Sequence, residues 1–464
     1  MLSKIILFLF LLSISPFISS QSLNNTKIDG YRGIWFELGQ KCEYGDKYSG
    51  ALGTYTAKHV PLAIYSPEAD KTFFVYGGTK TKDEQYLLCM IGEFDHKTEK
   101  VSKPTVVYDK QGVKDPHDNP SIMIDDENYI WVFVSGRGTR RPGYKLRSTK
   151  PLNIEEFEIV TNEEFTYPQP WNTSLGYFHF FTKYTGYRNL YFESSSDGIN
   201  WTEDKLLAAI AEKDGEDSGH YQTSSVFDNK ILGTFFSRHP QGTADKRTDL
   251  YYIQTSDLGI TWTTINEVKL KLPITQVDSP ARVVDYASKA KNVYVKDMQY
   301  DFEGNPACLY IRSNGFEPGP GSAPYEWCIT KWDGIEWQTY VVCESDHNYD
   351  MGSLYISKEN WKIVGPTENG PQPWGVGGEL ALWESIDNGK TWNKEKELTK
   401  NSTHSHSYVR RPLNYKAPFC YFWASGHSHN FSKSELYFGD FDGNIWKLPY
   451  VMENDYEKAE IVIK

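Results

Sequence analysis

The sequence predicts an all-β fold, a seven-bladed β-propeller. Three observations carry that prediction: a turn motif of the form Ser-x-Asp-x-Gly-x-x-Trp that recurs along the chain, a spacing of about one four-stranded sheet between its copies, and a composition rich in aromatics and glycine. Aromatic residues make up 15% of the 464 residues, with 14 Trp and 32 Tyr beside 36 Gly. Many short aromatic strands joined by glycine turns need that composition.

The motif is clearest at Ser195-Ser-Asp-Gly-Ile-Asn-Trp201, Ser256-Asp-Leu-Gly-Ile-Thr-Trp262 and Ser385-Ile-Asp-Asn-Gly-Lys-Thr-Trp392. Decayed copies are Trp332-Asp-Gly-Ile-Glu-Trp337 and Phe441-Asp-Gly-Asn-Ile-Trp446. Asp and Gly close a tight hairpin, and the aromatic that follows packs between sheets. Successive tryptophans stand 61, 75, 55 and 54 residues apart. An aromatic strand at Gly33-Ile-Trp-Phe36 marks the start of the ring, and the 411 residues from Trp35 to Trp446 accommodate about seven such units. Helical periodicity is rare, with Asp204 to Lys213 the best short candidate.

Residues 1–20 read as a signal peptide: Lys4, an apolar run from Ile5 to Ile14, then small residues up to Ser20. No later run is long enough for a transmembrane helix. Residues 21–464 are expected to form one propeller domain, catalytic, monomeric, and secreted or periplasmic. The net charge of −12 argues against a nucleic-acid partner but leaves room for an anionic glycan at a local arginine cluster. Six cysteines are too few for a disulfide scaffold; Cys308 with Cys328 or Cys343 is a candidate pair, and buried free thiols are the alternative.

Chemistry-bearing residues gather at four places. Asp115-Pro-His-Asp-Asn-Pro-Ser121 sets His117 and Asn119 rigidly before a strand. Tyr221 begins one strand and Arg238 and His239 end the next, with Arg247 following; a guanidinium beside His and Tyr implies an anionic ligand or an ion pair with Asp245 or Asp249. His404, His406, His427 and His429 form two His-x-His pairs that could present imidazoles on one face to a metal. Beside them, Arg410 and Arg411 alternate in direction, so one of the two would face the channel. Tyr167-Pro-Gln-Pro-Trp171 is an aromatic rim suited to sugar stacking or to core packing.

The Asp-box turns resemble the BNR repeats of sialidases, but the early Arg-Ile-Pro motif of a sialidase is missing. Asp29-Gly-Tyr-Arg-Gly-Ile-Trp35, the Pro-His segment at 116–120, the Tyr-to-Arg strand pair and Tyr408-Val-Arg-Arg-Pro412 with Phe422-Trp-Ala-Ser-Gly426 and Leu436-Tyr-Phe438 together resemble the BNR-repeat polysaccharide lyases, among them ulvan lyases with seven-bladed propellers. The resemblance covers most of the chain after residue 20. It implies a carbon–oxygen lyase acting by β-elimination at a uronic acid of an ulvan-type sulfated glycan or its oligosaccharides, with a sugar or water as leaving group. It places catalysis on His117, Tyr221 and Arg238, and substrate binding on Asn119, Arg137, Tyr167, His239, Arg247 and Arg410. The family's second histidine is absent, and Arg137 stands in its place. His117 and Tyr221 are both open as acid or base. No cofactor is expected to be required; a structural zinc or calcium ion is the open alternative. Two rival readings remain: a glycoside hydrolase of rhamnosyl-glucuronate linkages, for which no convincing carboxylate pair is legible, and a glycan-binding propeller without catalysis.

Overall fold

The computed structural model describes residues 23, 25–53, 58–81 and 83–464; the predicted signal peptide lies outside the described residues. The protein is an all-β propeller. Among the described residues, strands form seven sheets of four or more strands and two short two-stranded ribbons. Nearly every ladder is antiparallel with its sequence neighbour, as a succession of hairpins requires.

The Asp-box turns sit where the sequence placed them. Asp197 Oδ1 accepts the backbone N–H groups of Ile199 (2.9 Å) and Asn200 (2.7 Å), and Trp201 Nε1 donates to the carbonyl of Gly198 (2.7 Å). Asp387, Gly389 and Trp392 repeat the pattern. Gly198 and Gly389 adopt φ of 73° and 80°, and each abuts a tryptophan, Trp131 or Trp361, so a Cβ would meet both strain and collision. The motif tryptophans then fill the gaps between sheets: Trp262 lies edge-on to Phe178, Phe180 and Phe192. A buried aromatic of this size contributes about 1.5–3 kcal/mol.

The ring closes through its ends. The first sheet holds Gly33–Ile34 and Lys71–Gly78 beside two late strands, Lys433–Ser434 and Tyr456–Lys458. A parallel bridge between Ile64 and Leu413 joins the first inner strand to the end of the last. Pairing first with last leaves few unprotected strand edges.

The larger sheets have as inner edge strands Ala63–Ser66, Pro120–Ile124, Thr166–Thr173, His220–Phe227, Asn292–Tyr300, Ser353–Ile356 and Ser405–Arg410, which pack against neighbouring sheets. Residues at or before their first positions gather at one mouth of the channel. Residues at their last positions line a separate cavity of about 570 Å³ at the other mouth.

Two expectations are corrected. The helix candidate at Asp204–Lys213 begins as a strand, Lys205–Ala208, because it pairs with Leu190–Ser195; sheet pairing overrides local propensity there. All six cysteines are free thiols, so Cys308 pairs with neither Cys328 nor Cys343.

Candidate active site

The first mouth concentrates imidazole, phenol and guanidinium. His117 sits in a short 3-10 turn, Pro116–Asp118, capped by Asp115, whose carboxylate accepts both the backbone N–H and Nδ1–H of His117. That contact fixes the tautomer: Nδ1 carries the proton, and Nε2 faces the Tyr184 hydroxyl at 3.1 Å as acceptor. Burial lowers the His117 pKa, opposed by Asp115 and helped by Arg137 and Arg141, so the ring is neutral at pH 7. Burial raises the Asp115 carboxyl, but His117 and Arg141 outweigh it and hold it well below the usual carboxylate range. Burial raises neighbouring Asp118 to about 6, against Lys110 at 2.8 Å and Arg141 at 3.0 Å.

The chain of hydroxyls continues. Tyr184 and Tyr167 share a hydrogen bond of 2.9 Å, and both hydroxyls reach Tyr221. The Tyr167 ring stands 5.4 Å from His117 and 5.6 Å from Tyr221. Arg247 places its guanidinium 4.3 Å from the centre of the Tyr221 ring and donates to Tyr349 (2.6 Å). Burial pushes the Tyr221 phenol up, yet Arg247, Arg188 and the two tyrosine hydroxyls overcome this and bring its pKa below the ordinary value. His239 packs against Tyr221 at 4.7 Å; it is buried, and among the described residues neither ring nitrogen has a hydrogen-bond partner. Burial, Arg247 and Arg188 keep it uncharged. Arg188 Nε is likewise buried without a partner. Orphaned donors beside a cationic phenol pocket suit an anionic, polar ligand.

The predicted residues divide between this mouth and other places. His117, Tyr221, Tyr167, His239 and Arg247 come together. Arg137 borders them, 5.1 Å from the Tyr184 ring centre and bonded to Asp115 (3.0 Å). Asn119 lies behind, with its carboxamide against Gly53 and Gly77. Arg410 is buried over the Tyr408 ring, within the channel where it acts on Lys58 and Lys296.

Arg238 is a correction. In the ladder Tyr221 pairs with Ser237, while Arg238 pairs with His220, so Arg238 emerges on the opposite face from Tyr221. Its guanidinium is held by Asp249 (2.6 Å) and Glu212 (2.8 Å). The four histidines are a second correction. His406 is occupied by Trp423 (3.0 Å) and Ser402 (3.0 Å), and no three of His404, His406, His427 and His429 bring ligand atoms together. The one group within metal-binding reach among the described residues is Glu163, Glu193 and Asp204. Lys145 already bridges two of these, at 2.5 and 2.8 Å.

Tyr184 and Arg188 escaped sequence reasoning. Both sit in the irregular segment 183–189 between two strands, where no periodicity marks which way a side chain turns.

The pattern of the BNR repeat-containing family matches residues 82–345. The chain belongs to that family. It is 20% identical to an ulvan lyase of Nonlabens ulvanivorans over 354 residues, covering 66% of this chain and 71% of that one. An ulvan lyase of Alteromonas sp. (strain LOR) is 21% identical, with 55% and 57% covered. Among solved structures, the polysaccharide lyase PL25 ulvan lyase superposes with a TM-score of 0.69 at 16% identity, over 84% of this chain and 93% of that one. That enzyme has also been solved bound to -[GlcA(1-4)Rha3S]-. At this identity the superposition speaks for the shared propeller fold. No helix among the described residues is long and apolar enough to cross a membrane.

Proposed function

We propose that this BNR-family member is a secreted polysaccharide lyase that acts on ulvan-type glycan by β-elimination at a uronic acid. The observation that carries the reading is the hydrogen-bonded line His117–Tyr184–Tyr167 ending at Tyr221, a phenol whose pKa two arginines depress. The ulvan lyase relatives support it by likeness. The ring is read as seven blades, one per larger sheet, in a monomeric catalytic domain of residues 21–464 that requires no cofactor.

Elimination must break the C5–H bond, place that electron pair in a C4=C5 double bond, break C4–O4 and protonate the departing oxygen. Removing the C5 proton loads negative charge onto the adjacent carboxylate, so that charge must be met by fixed cations. Arg188, with its unfilled Nε, holds the carboxylate, and Arg137 extends the cationic rim. Tyr221, as phenolate beside Arg247, takes the C5 proton. Tyr184, whose phenol is raised by burial and by the Tyr221 charge, keeps its proton and gives it to O4. Neutral His117, with Nε2 3.1 Å from the Tyr184 oxygen, holds that hydroxyl in place until its proton turns to O4. His239 supplies a polar edge for a sugar hydroxyl.

Incubation with ulvan and with saturated uronate-ended oligosaccharides tests this, followed by ultraviolet absorbance of the conjugated C4=C5 uronate. A rise on polymer supports the lyase. A rise on oligosaccharides alone assigns water as the leaving group. New reducing ends without absorbance would identify a hydrolase and reject elimination. Retained binding with neither signal would leave a glycan-binding propeller.

A further inference from the structure

One segment of the first mouth has no part in the chemistry above. Between the first strand and the first inner strand the chain leaves its own sheet as an antiparallel ribbon. Phe36 and Glu37 pair with Gly50 and Ser49, and Lys41 and Cys42 pair with Asp46 and Gly45. Backbone bonds Leu38 N–Tyr48 O (3.1 Å) and Lys47 N–Gln40 O (2.9 Å) join the two pairs into one strap.

The strap is anchored on sheets far from its own. Lys47, mostly buried, bonds Asp245 at 2.9 Å and Glu317 at 2.8 Å, two carboxylates on the loops of different sheets, and its amine lies 4.7 Å from the Phe316 ring centre. Tyr48 stacks edge-on with Tyr349 (5.1 Å), the tyrosine that receives the Arg247 hydrogen bond. Tyr44 lies against Gly319 and Trp374. At the ribbon's other side, the carbonyl of His429 accepts from Lys41 (2.6 Å). The strap therefore covers the Arg247–Tyr349 half of the mouth.

Among the described residues the strap leaves the other half uncovered, and that half is cationic. Arg137 keeps 44% of its side chain exposed and Arg141 31%. Arg140 is exposed beside them, and Arg188 is half-buried. A linear polyanion threading through the middle of this site would need two exits, and the ribbon occupies one of them.

We infer that the strap turns the mouth into a blind pocket that takes one end of a glycan chain, with the anionic remainder leaving over the Arg137–Arg140–Arg141 rim. This rests on the lyase reading and adds the mode of attack. Reaction occurs at chain ends, and the Lys47 latch to Asp245 and Glu317 is what excludes internal sites. The latch residues do not touch the reacting atoms; they determine which part of a glycan reaches them.

The test follows product length against double bonds formed. Wild-type protein acting on ulvan and on its oligosaccharides should accumulate only the shortest products while the remaining polymer keeps its length. Lys47→Glu sets like charges against Asp245 and Glu317, and should release intermediate lengths from the first turnovers. Adding Asp245→Lys and Glu317→Lys to that variant should restore the end-only pattern, which separates unlatching from misfolding. Intermediate lengths from the wild type at early turnover would overturn the inference while leaving the lyase reading intact. An unchanged pattern in a folded Lys47→Glu protein would overturn the latch. Absence of double bonds on every substrate would remove the lyase reading and this one with it.

Discussion

The two mouths of the channel are built by the same inner strands and differ in almost everything else. Around the leading ends of the strands sit His117, Tyr167, Tyr221, His239 and Arg247, nearly closed to solvent, with Tyr184 half-buried beside them and the strap over the Arg247 side. At the trailing ends lies a cavity of about 570 Å³, lined by Pro61, Ile64, Ile122, Trp171, Val226 and Leu413. Its cation, Arg411, is satisfied by the Gln299 carbonyl and by Asp297 at 3.8 Å. The far hollow has its cation paired, whereas the first mouth holds buried donors without partners and a phenol with a depressed pKa. Perturbed, unsatisfied groups are the better guide to chemistry than empty space.

That contrast is breakable by substitution. The largest effect is expected at Tyr221: Tyr221→Phe should lower kcat/KM by about 10²–10⁴-fold, the range for a lost general base, with an unchanged circular dichroism spectrum. Arg188→Ala should cost about 10²-fold, mostly in kcat, because the charge it meets develops during the reaction. Arg238→Met should leave specific activity within a few-fold of wild type. It should instead lower stability by about 3 kcal/mol in chemical denaturation, since it leaves the buried Asp249 carboxylate with backbone N–H groups on one oxygen and no cation on the other. Arg411→Ala, at the far mouth, should change turnover least of all; a loss there comparable with Arg188→Ala would move the site to that cavity.

The Arg238 result also shows where sequence reading stops. The Asp-box turns were legible because Asp, Gly and Trp act within a few residues of one another, and the geometry is local. His117 was legible for the same reason, held by its own Asp115 and Pro116. Arg238 and Arg247 both follow Tyr221 at distances a hairpin permits. Choosing between them needs the register, in which a shift of one residue exchanges the two faces of a strand. Tyr184 and Arg188 arrive from a loop, so only the folded chain brings them to Tyr221. The histidine pairs at 404–406 and 427–429 alternate as a metal site would, but Trp423 and Ser402 use the two nitrogens of His406 for packing instead.

The pH dependence follows from the same cluster. The competent form of Tyr221 is the phenolate, so activity should fall as pH drops through its depressed pKa. Arg247→Met removes one stabilising cation and should move that acidic limb to higher pH. The most direct measurement is therefore the ultraviolet titration of Tyr221, taken as the difference between wild type and Tyr221→Phe. Ionisation below the ordinary tyrosine value of about 10, moving upward in Arg247→Met, is the predicted result. Ionisation at or above that value in the wild type would contradict the account.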